Sequence, residues 1–365
     1  SMKKRIIIFI PSIEGGGVEK NLILVTNYLS RKINKITLIT ISKKFKNKFD
    51  KSVEFKTFNF DIWDKLSRRF KYFLALLLLI KEFLKDKRRL VFSFQANIYC
   101  IILCKIFGVR IIVRSNSAPI GWSQNPIKKL IFRVLLNKAD QVMVNSFEFK
   151  EALKNQFKVN AKCIYNPLNK IEIIKKSKYK SKKYFKTKNK LRILNIGRFT
   201  EQKDQITFLK ALNLLKNKIE FEAIIVGRGK LKIELENFIF NNKLKDHVKI
   251  VNFLNNPYPI MRQTDVFILT SKYEGLPNVL LESLSLNKFV ISSDCQTGPK
   301  EILMFGKGGL LFKVGDYKSL SKKILFFKKN KFLCNKKLIS ARKELIRFDY
   351  SYNLKEYYNL IKKNI

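Results

Sequence analysis

Glu274 and Glu282 stand with seven residues between them in the stretch Thr270-Ser-Lys-Tyr-Glu-Gly-Leu-Pro-Asn-Val-Leu-Leu-Glu-Ser-Leu284. Ahead of them, Asp265-Val-Phe-Ile-Leu-Thr270 is a short apolar run of the kind that makes a buried parallel strand. Behind the loop, Val279, Leu280, Leu281, Leu284 and Leu286 recur at helical spacing, and Pro277 suits the first helical turn, where its missing N–H costs nothing. The pattern is strand, loop, helix, with Glu274 in the loop and Glu282 about one turn into the helix. Such a loop, at the carboxyl end of a parallel strand, turns backbone N–H groups toward a crevice that favours anions. Two carboxylates there would repel a phosphate. They suit hydroxyls instead, which a sugar and a ribose supply.

Arg198 and Lys203 offer the complementary charge. Both follow the predicted strand Leu191–Ile196, five residues apart, so both reach one crevice before a helix expected over Gln205–Leu215. Two cations there neutralise a diphosphate, Arg through its planar fork and Lys as a point charge. Near the N-terminus, Ser12-Ile-Glu-Gly-Gly-Gly-Val-Glu19 separates the strand Lys4–Pro11 from a helix over 21–29. Its glycines let a ligand approach the backbone closely, although the spacing is not the G-x-G-x-x-G dinucleotide fingerprint.

The filling of the carboxylate pair, Tyr273-Glu-Gly-Leu-Pro-Asn-Val-Leu-Leu-Glu282, resembles the signature of the retaining GT-B glycosyltransferases of family 4. In that family the first Glu lies at the donor sugar and the second holds the nucleotide ribose. Gly197-Arg198-x4-Lys203 resembles the family's Gly-Arg-x4-Lys element, whose bases stabilise the leaving nucleoside diphosphate. Gly227-Arg-Gly229 resembles its Gly-x-Gly turn beneath the nucleotide, with Arg228 where members usually have an acid. Gly16-Gly17-Val-Glu19 resembles its Gly-Gly-x-Glu loop, which faces the donor diphosphate across an interdomain cleft. Asn255–Met261 falls where the family abuts the nucleobase, and 294–302, 308–312 and 314–316 match segments found in bacterial surface-glycan members. The resemblance thus implies catalytic roles for Arg198, Lys203 and Glu274. It implies donor contacts from Gly16, Gly17, Gly229, Gly275, Leu276, Pro277, Asn278, Val279 and Glu282.

It also implies an α/β fold of GT-B type: two Rossmann-like domains with a cleft between them and a C-terminal helix crossing back. The expected boundaries are an acceptor domain over 1–170 joined by 346–365, a basic linker over 171–190, and a nucleotide-sugar domain over 191–345. The linker rests on the nine lysines between Lys175 and Lys190. A single terminal helix is expected over 342–365. The implied reaction is retaining and metal-independent, from a nucleoside-diphosphate sugar, with a UDP-sugar expected. Arg198, Lys203, the Gly16 and Gly17 amides and the helix N-terminus near Leu276–Val279 would neutralise the departing diphosphate. No cofactor is expected, and no Asp-x-Asp pair is present for a divalent ion. Many members carry a histidine after the strand here ending at Arg114. The chain's one histidine, His247, lies elsewhere and reads as a surface residue, leaving Ser115 or Asn116 to take the sugar contacts.

With 365 residues and 46% apolar content, the chain has the length for two cores. A net charge of +47 suits an anionic partner, nucleic acid or membrane, while abundant Lys, Asn, Ile and Phe together are also what an AT-rich genome produces. The lysines spread along the whole chain without an RNP, KH or zinc-finger pattern, which argues against specific base readout. The segments 63–90 and 126–137 are rich in both leucine and base. They read either as helices buried on a sheet or as a pair lying in an anionic membrane interface. The longest apolar run, Tyr72–Ile80, is too short to cross a bilayer. The N-terminus enters a strand directly, with no leader pattern, and five cysteines without a C-x2-C pair read as reduced thiols. The expectation is a cytoplasmic enzyme, peripheral at the inner face of the plasma membrane, acting on a membrane-associated glycan or lipid. A transferase with a soluble acceptor, and a non-catalytic GT-B scaffold that binds nucleic acid or membrane, remain open on the residues alone.

Overall fold

Runs such as Ile6-Ile-Ile-Phe9 and Ile111-Ile-Val113 are apolar at every position, the pattern of strands covered on both faces. The computed structural model, which describes residues 5–13, 17–58, 65–115 and 124–365, places them in parallel sheets. The chain divides into two units, 1–167 with 350–365, and 168–349.

The first unit holds β1 (Arg5–Phe9), β2 (Lys35–Ile39), β3 (Glu54–Lys56), β4 (Leu90–Ser93), β5 (Arg110–Ser115), β6 (Gln141–Val144) and β7 (Ala161–Cys163). They form one sheet in the order β3-β2-β1-β4-β5-β6-β7. Its helices are α1 (Gly17–Ser30), α2 (Arg68–Lys85), α3 (Asn97–Phe107), α4 (Pro126–Lys138), α5 (Phe147–Phe157) and the C-terminal helix Tyr350–Asn364. Side chains alternate along each strand. Ile7, Phe9, Val91, Ile111 and Val113 pack beneath α2 to α5, with Leu79, Cys104, Leu136 and Leu153. Ile6, Ile8, Leu38, Phe92 and Ile112 pack on the other face, with Leu22 and Val25 of α1 and Tyr357 and Ile361 of the C-terminal helix.

The second unit repeats the plan with β8 (Leu191–Ile196), β9 (Phe221–Gly227), β10 (Val248–Asn252), β11 (Val266–Leu269), β12 (Phe289–Ser293) and β13 (Leu310–Phe312). The order is β10-β9-β8-β11-β12-β13, the doubly wound arrangement whose reversal point lies between β8 and β11. Its helices are α6 (Lys170–Ser177), α7 (Gln205–Leu215), α8 (Lys232–Asn241), α9 (Tyr258–Arg262), α10 (Asn278–Ser285), α11 (Pro299–Ile302), α12 (Tyr317–Lys329) and α13 (Lys331–Lys343).

Several expectations are corrected here. Residues 171–190 are not a solvated linker: α6 packs on α9 and α10, and Ile173, Tyr184 and Phe185 are buried among the lysines. Tyr184 N donates to Gln263 Oε1 at 2.9 Å, and the Arg192 guanidinium sits 5.7 Å from the Phe185 ring. Charge density hid three apolar anchors. The segment 342–365 is not one helix, because α13 gives way to a 3-10 turn over Glu344–Phe348 and Asp349 breaks from helical geometry before Tyr350. Within the described part of the expected 63–90 segment, Arg68–Lys85 is α-helix, capped by the Ser67 hydroxyl, which accepts from Phe70 N. Trp63 lies outside the described residues, and Leu90 already belongs to β4.

Candidate active site

The loops leaving β8 and β11 meet at the carboxyl edge of the second sheet, where strand order reverses. Backbone and side chains fasten them. Thr270 Oγ1 donates to Lys203 O at 2.9 Å, Lys272 N to Gln202 O at 2.8 Å, and Gln202 Nε2 to Tyr273 O at 3.1 Å. Within the β8 loop, Gln205 Nε2 donates to Arg198 O at 3.0 Å. Asp204 takes a left-handed conformation at φ 48° and caps α7 by accepting from Thr207 N.

This fastening brings two predicted residues into contact. Lys203 Nζ lies 2.5 Å from Glu274 Oε1, and Ser271 Oγ donates to the same oxygen at 2.6 Å. The Glu274 side chain is 8% exposed and that of Lys203 19%. A carboxylate so buried requires partners, since an isolated charge in such a place is strongly disfavoured. Gly197 makes room for the Lys203 stem: a Cβ there would stand 3.3 Å from Lys203 Cγ.

The Glu274 loop is held from behind by the turn after β12. Ser293 Oγ donates to Ser271 O at 2.7 Å, and Thr297 Oγ1 donates to Glu274 O. Gly298, at φ 93°, packs so closely that a Cβ would come within 2.1 Å of Gly275 O and 2.7 Å of Pro277 Cδ. No other residue fits there. The buried Cys295 thiol is pushed up to about 12, first by burial and then by the negative charge of Glu274.

Pro277 takes the position before the helix, so that α10 begins at Asn278, one residue later than expected. Glu282 is buried one turn along α10. The Tyr258 hydroxyl of α9 is hydrogen-bonded to it, and burial first, then the Glu282 charge, push the phenol above its ordinary range. Gly229 lies under the β8 loop, where a Cβ would meet Phe199 O at 2.6 Å at a φ of 154°.

The second unit therefore carries Arg198, Lys203, Gly229, Glu274 and Gly275 to Pro277 on its loops, and Asn278, Val279 and Glu282 on α10. Arg198 is exposed, on the same loop as Lys203. Gly17, the first residue of α1, and Ser115, the last of β5, belong to the first unit, whereas Gly16 and Asn116 lie outside the described residues. Glu19, next in the glycine-rich loop, is buried in α1 with Lys48 at 3.5 Å, and desolvation raises its carboxyl. His247 is half-buried, its ring 5.0 Å from that of Phe221. Sequence reasoning missed Ser271, Thr297 and Tyr258 as supports. For Thr297 the signal was available, as a Thr-Gly-Pro run opening a helix.

Residues 176–345 match the family described as glycosyl transferases group 1. That segment is similar to the family over a little under half of the chain. The group 1 segment contains every predicted site residue except Gly16, Gly17, Ser115 and Asn116. Over 244 residues the chain is 30% identical to an uncharacterized glycosyltransferase of Methanocaldococcus jannaschii, a match covering 58% of this chain and 59% of the relative. The chain spans about three fifths of the length of that relative, and 62% of a second one. Over 368 residues, 98% of each chain, it is 26% identical to the GalNAc-alpha-(1->4)-GalNAc-alpha-(1->3)-diNAcBac-PP-undecaprenol alpha-1,4-N-acetyl-D-galactosaminyltransferase of Campylobacter jejuni. Among solved structures, Anabaena HepE in complex with UDP matches with a TM-score of 0.77 at 17% identity, covering 99% of this chain and 100% of that one. That likeness makes the fold GT-B.

Proposed function

We propose that the protein is a retaining, metal-independent glycosyltransferase that moves a sugar from a UDP-sugar to a lipid-linked glycan. The observation that carries this reading is the Lys203–Glu274 contact, which sets a cation and a sugar-accepting carboxylate side by side at the reversal point of a doubly wound sheet. The solved HepE complex holds UDP, and the Campylobacter relative is named for an undecaprenol diphosphate substrate. Both support the choice of donor and acceptor.

Each residue then has a task. An ammonium carries three N–H donors. One of those of Lys203 is directed at Glu274, and the others serve the diphosphate together with the Arg198 fork. Their charge counts most as the diphosphate leaves and the sugar becomes oxocarbenium-like, so it lowers the barrier rather than merely binding the donor. Glu274 accepts from donor sugar hydroxyls, Glu282 from the ribose, and the amides opening α10 favour phosphate oxygens. The departing phosphate oxygen takes the acceptor's proton on the same face, which retains configuration without a protein nucleophile. Such a reaction belongs at the inner face of the plasma membrane, where soluble donor and lipid-linked acceptor meet.

The test is transfer of radiolabelled sugar from UDP-glucose and UDP-GalNAc to a bacterial lipid extract, with the product's anomeric configuration read by NMR. The expected outcome is α-linked label in the lipid phase, undiminished by EDTA and absent with Lys203→Ala. A β-linked product, loss of transfer in EDTA, or no transfer from any nucleotide sugar contradicts the proposal.

A further inference from the structure

Helices α2, α3 and α4 cover one face of the first unit's sheet, with α3 packed against both of the others. A helix in that place buries one stripe and turns polar residues outward. These three are apolar on both sides. On α2 the exposed residues Phe70, Phe73, Leu77 and Leu84 follow one helical stripe. On α3, Tyr99, Ile102 and Ile106 do the same, Ile106 being 73% exposed. On α4, Ile127, Leu130, Ile131 and Val134 recur at i, i+3, i+4, i+7, and Ile127 is 71% exposed. Their neighbour α5 exposes Lys154, Asn155 and Gln156 and, of its apolar residues, Phe147 at its first position, with no outward apolar stripe.

Charge decides what such a surface fits. The three helices carry ten Lys and Arg, and Glu82 is their one acid. Its carboxylate is buried against Arg89 at 2.6 Å and Lys85 at 3.1 Å, so it offers nothing outward. We propose that this three-helix face docks in the plane of an anionic phospholipid bilayer, its apolar stripes below the headgroups and its lysines and arginines at them. A second copy of the chain would set this positive field against itself. Protein interfaces, moreover, are depleted in lysine. Among the described residues no helix is long and apolar enough to cross a membrane, so the contact is interfacial. The proposal deepens the lipid-linked acceptor reading above and rests on it only for its biological purpose, because docking is measured with no sugar present.

Vesicles of phosphatidylcholine, alone and mixed with phosphatidylglycerol, provide the measurement by co-sedimentation. A chain of charge +47 adsorbs to anionic vesicles by charge alone, so the informative variant keeps every charge: Phe73→Ser/Ile106→Ser/Leu130→Ser. It should lower the partition coefficient on mixed vesicles at least about tenfold, and wild type should keep part of its binding in high salt, where screening removes the Coulomb contribution. The triple variant Ile233→Ser/Phe240→Ser/Phe332→Ser, on the second unit, should bind as wild type does. Thermal melting checks that each variant folds, and Ile127→Ser/Val134→Ser serves if the first triple does not. Equal partition of wild type and stripe variant, or complete loss of wild-type binding in high salt, overturns the proposal. So does a wild-type dimer that the stripe variant dissociates in the ultracentrifuge.

Discussion

Lys203 Nζ lies 2.5 Å from Glu274 Oε1, and that contact joins the loop after β8 to the loop after β11. The two lie 71 positions apart in the chain. Neither charge is tolerable there alone, because both side chains are largely withdrawn from water and only the pair, with Ser271, offsets the desolvation. Glu274→Ala, which leaves the ammonium uncompensated, should cost about 3–5 kcal/mol in urea unfolding. The double variant with Lys203→Ala should recover part of it, with a coupling of about 1–3 kcal/mol. Simple additivity of the two single changes would mean that the contact is not energetically a pair.

Gly298→Ala tests whether the turn after β12 sets the donor loop. The new methyl meets Gly275 O at 2.1 Å in a backbone conformation that already disfavours a side chain. Strain of this kind costs about 1–3 kcal/mol, and the loop must move to relieve part of it. The KM for the donor should rise while the KM for the acceptor stays close to wild type. An unchanged donor KM would show that loop position is set elsewhere.

Tyr258→Phe removes the hydroxyl that holds Glu282. A lost hydrogen bond to a charged group is worth roughly 1.5 kcal/mol or more, so UDP affinity should fall about tenfold. Inhibition by inorganic pyrophosphate should not change, since Glu282 is assigned to the ribose. Equal losses for both ligands would remove that assignment.

At the edge of the first sheet, Lys56 and Lys35 hold the Glu54 carboxyl down to about 2, against desolvation. A carboxylate whose pKa is depressed by folding stabilises the fold above its unfolded value of 4.5, and the benefit disappears as pH falls through the folded value. The melting temperature of wild type should therefore exceed that of Glu54→Gln at pH 6, and the two should converge between pH 4.5 and about 2. A gap that stays constant over that interval would rule out titration of Glu54 as its source.

What was legible in the sequence follows from how local each signal is. β8, β9 and β12 carry their boundaries in their own residues, as runs closed at Gly197, Gly227 and Asp294, α7 opens after Asp204, and all four stand where expected. The carboxylate and base motifs are also local, and the structure sets Lys203 on Glu274. Contacts between distant segments had no such signature. Tyr258 meets Glu282 from another helix, and Thr297 reaches Glu274 O from another loop. Between Lys175 and Lys190, the lysines outnumbered and concealed Tyr184 and Phe185. The outward stripes of α2 and α4 resembled ordinary core helices, since periodicity does not say which of two apolar faces meets the sheet.

Whether the Lys203 and Glu274 loops hold a nucleoside diphosphate decides the proposed function most directly. Calorimetric titration of the wild-type chain and Lys203→Ala with UDP, GDP and ADP measures this without an acceptor. Selective binding of UDP, weakened about tenfold to a hundredfold in Lys203→Ala by loss of a charge-assisted hydrogen bond, is the predicted result. No binding of any of the three, or UDP binding indifferent to Lys203, would contradict it.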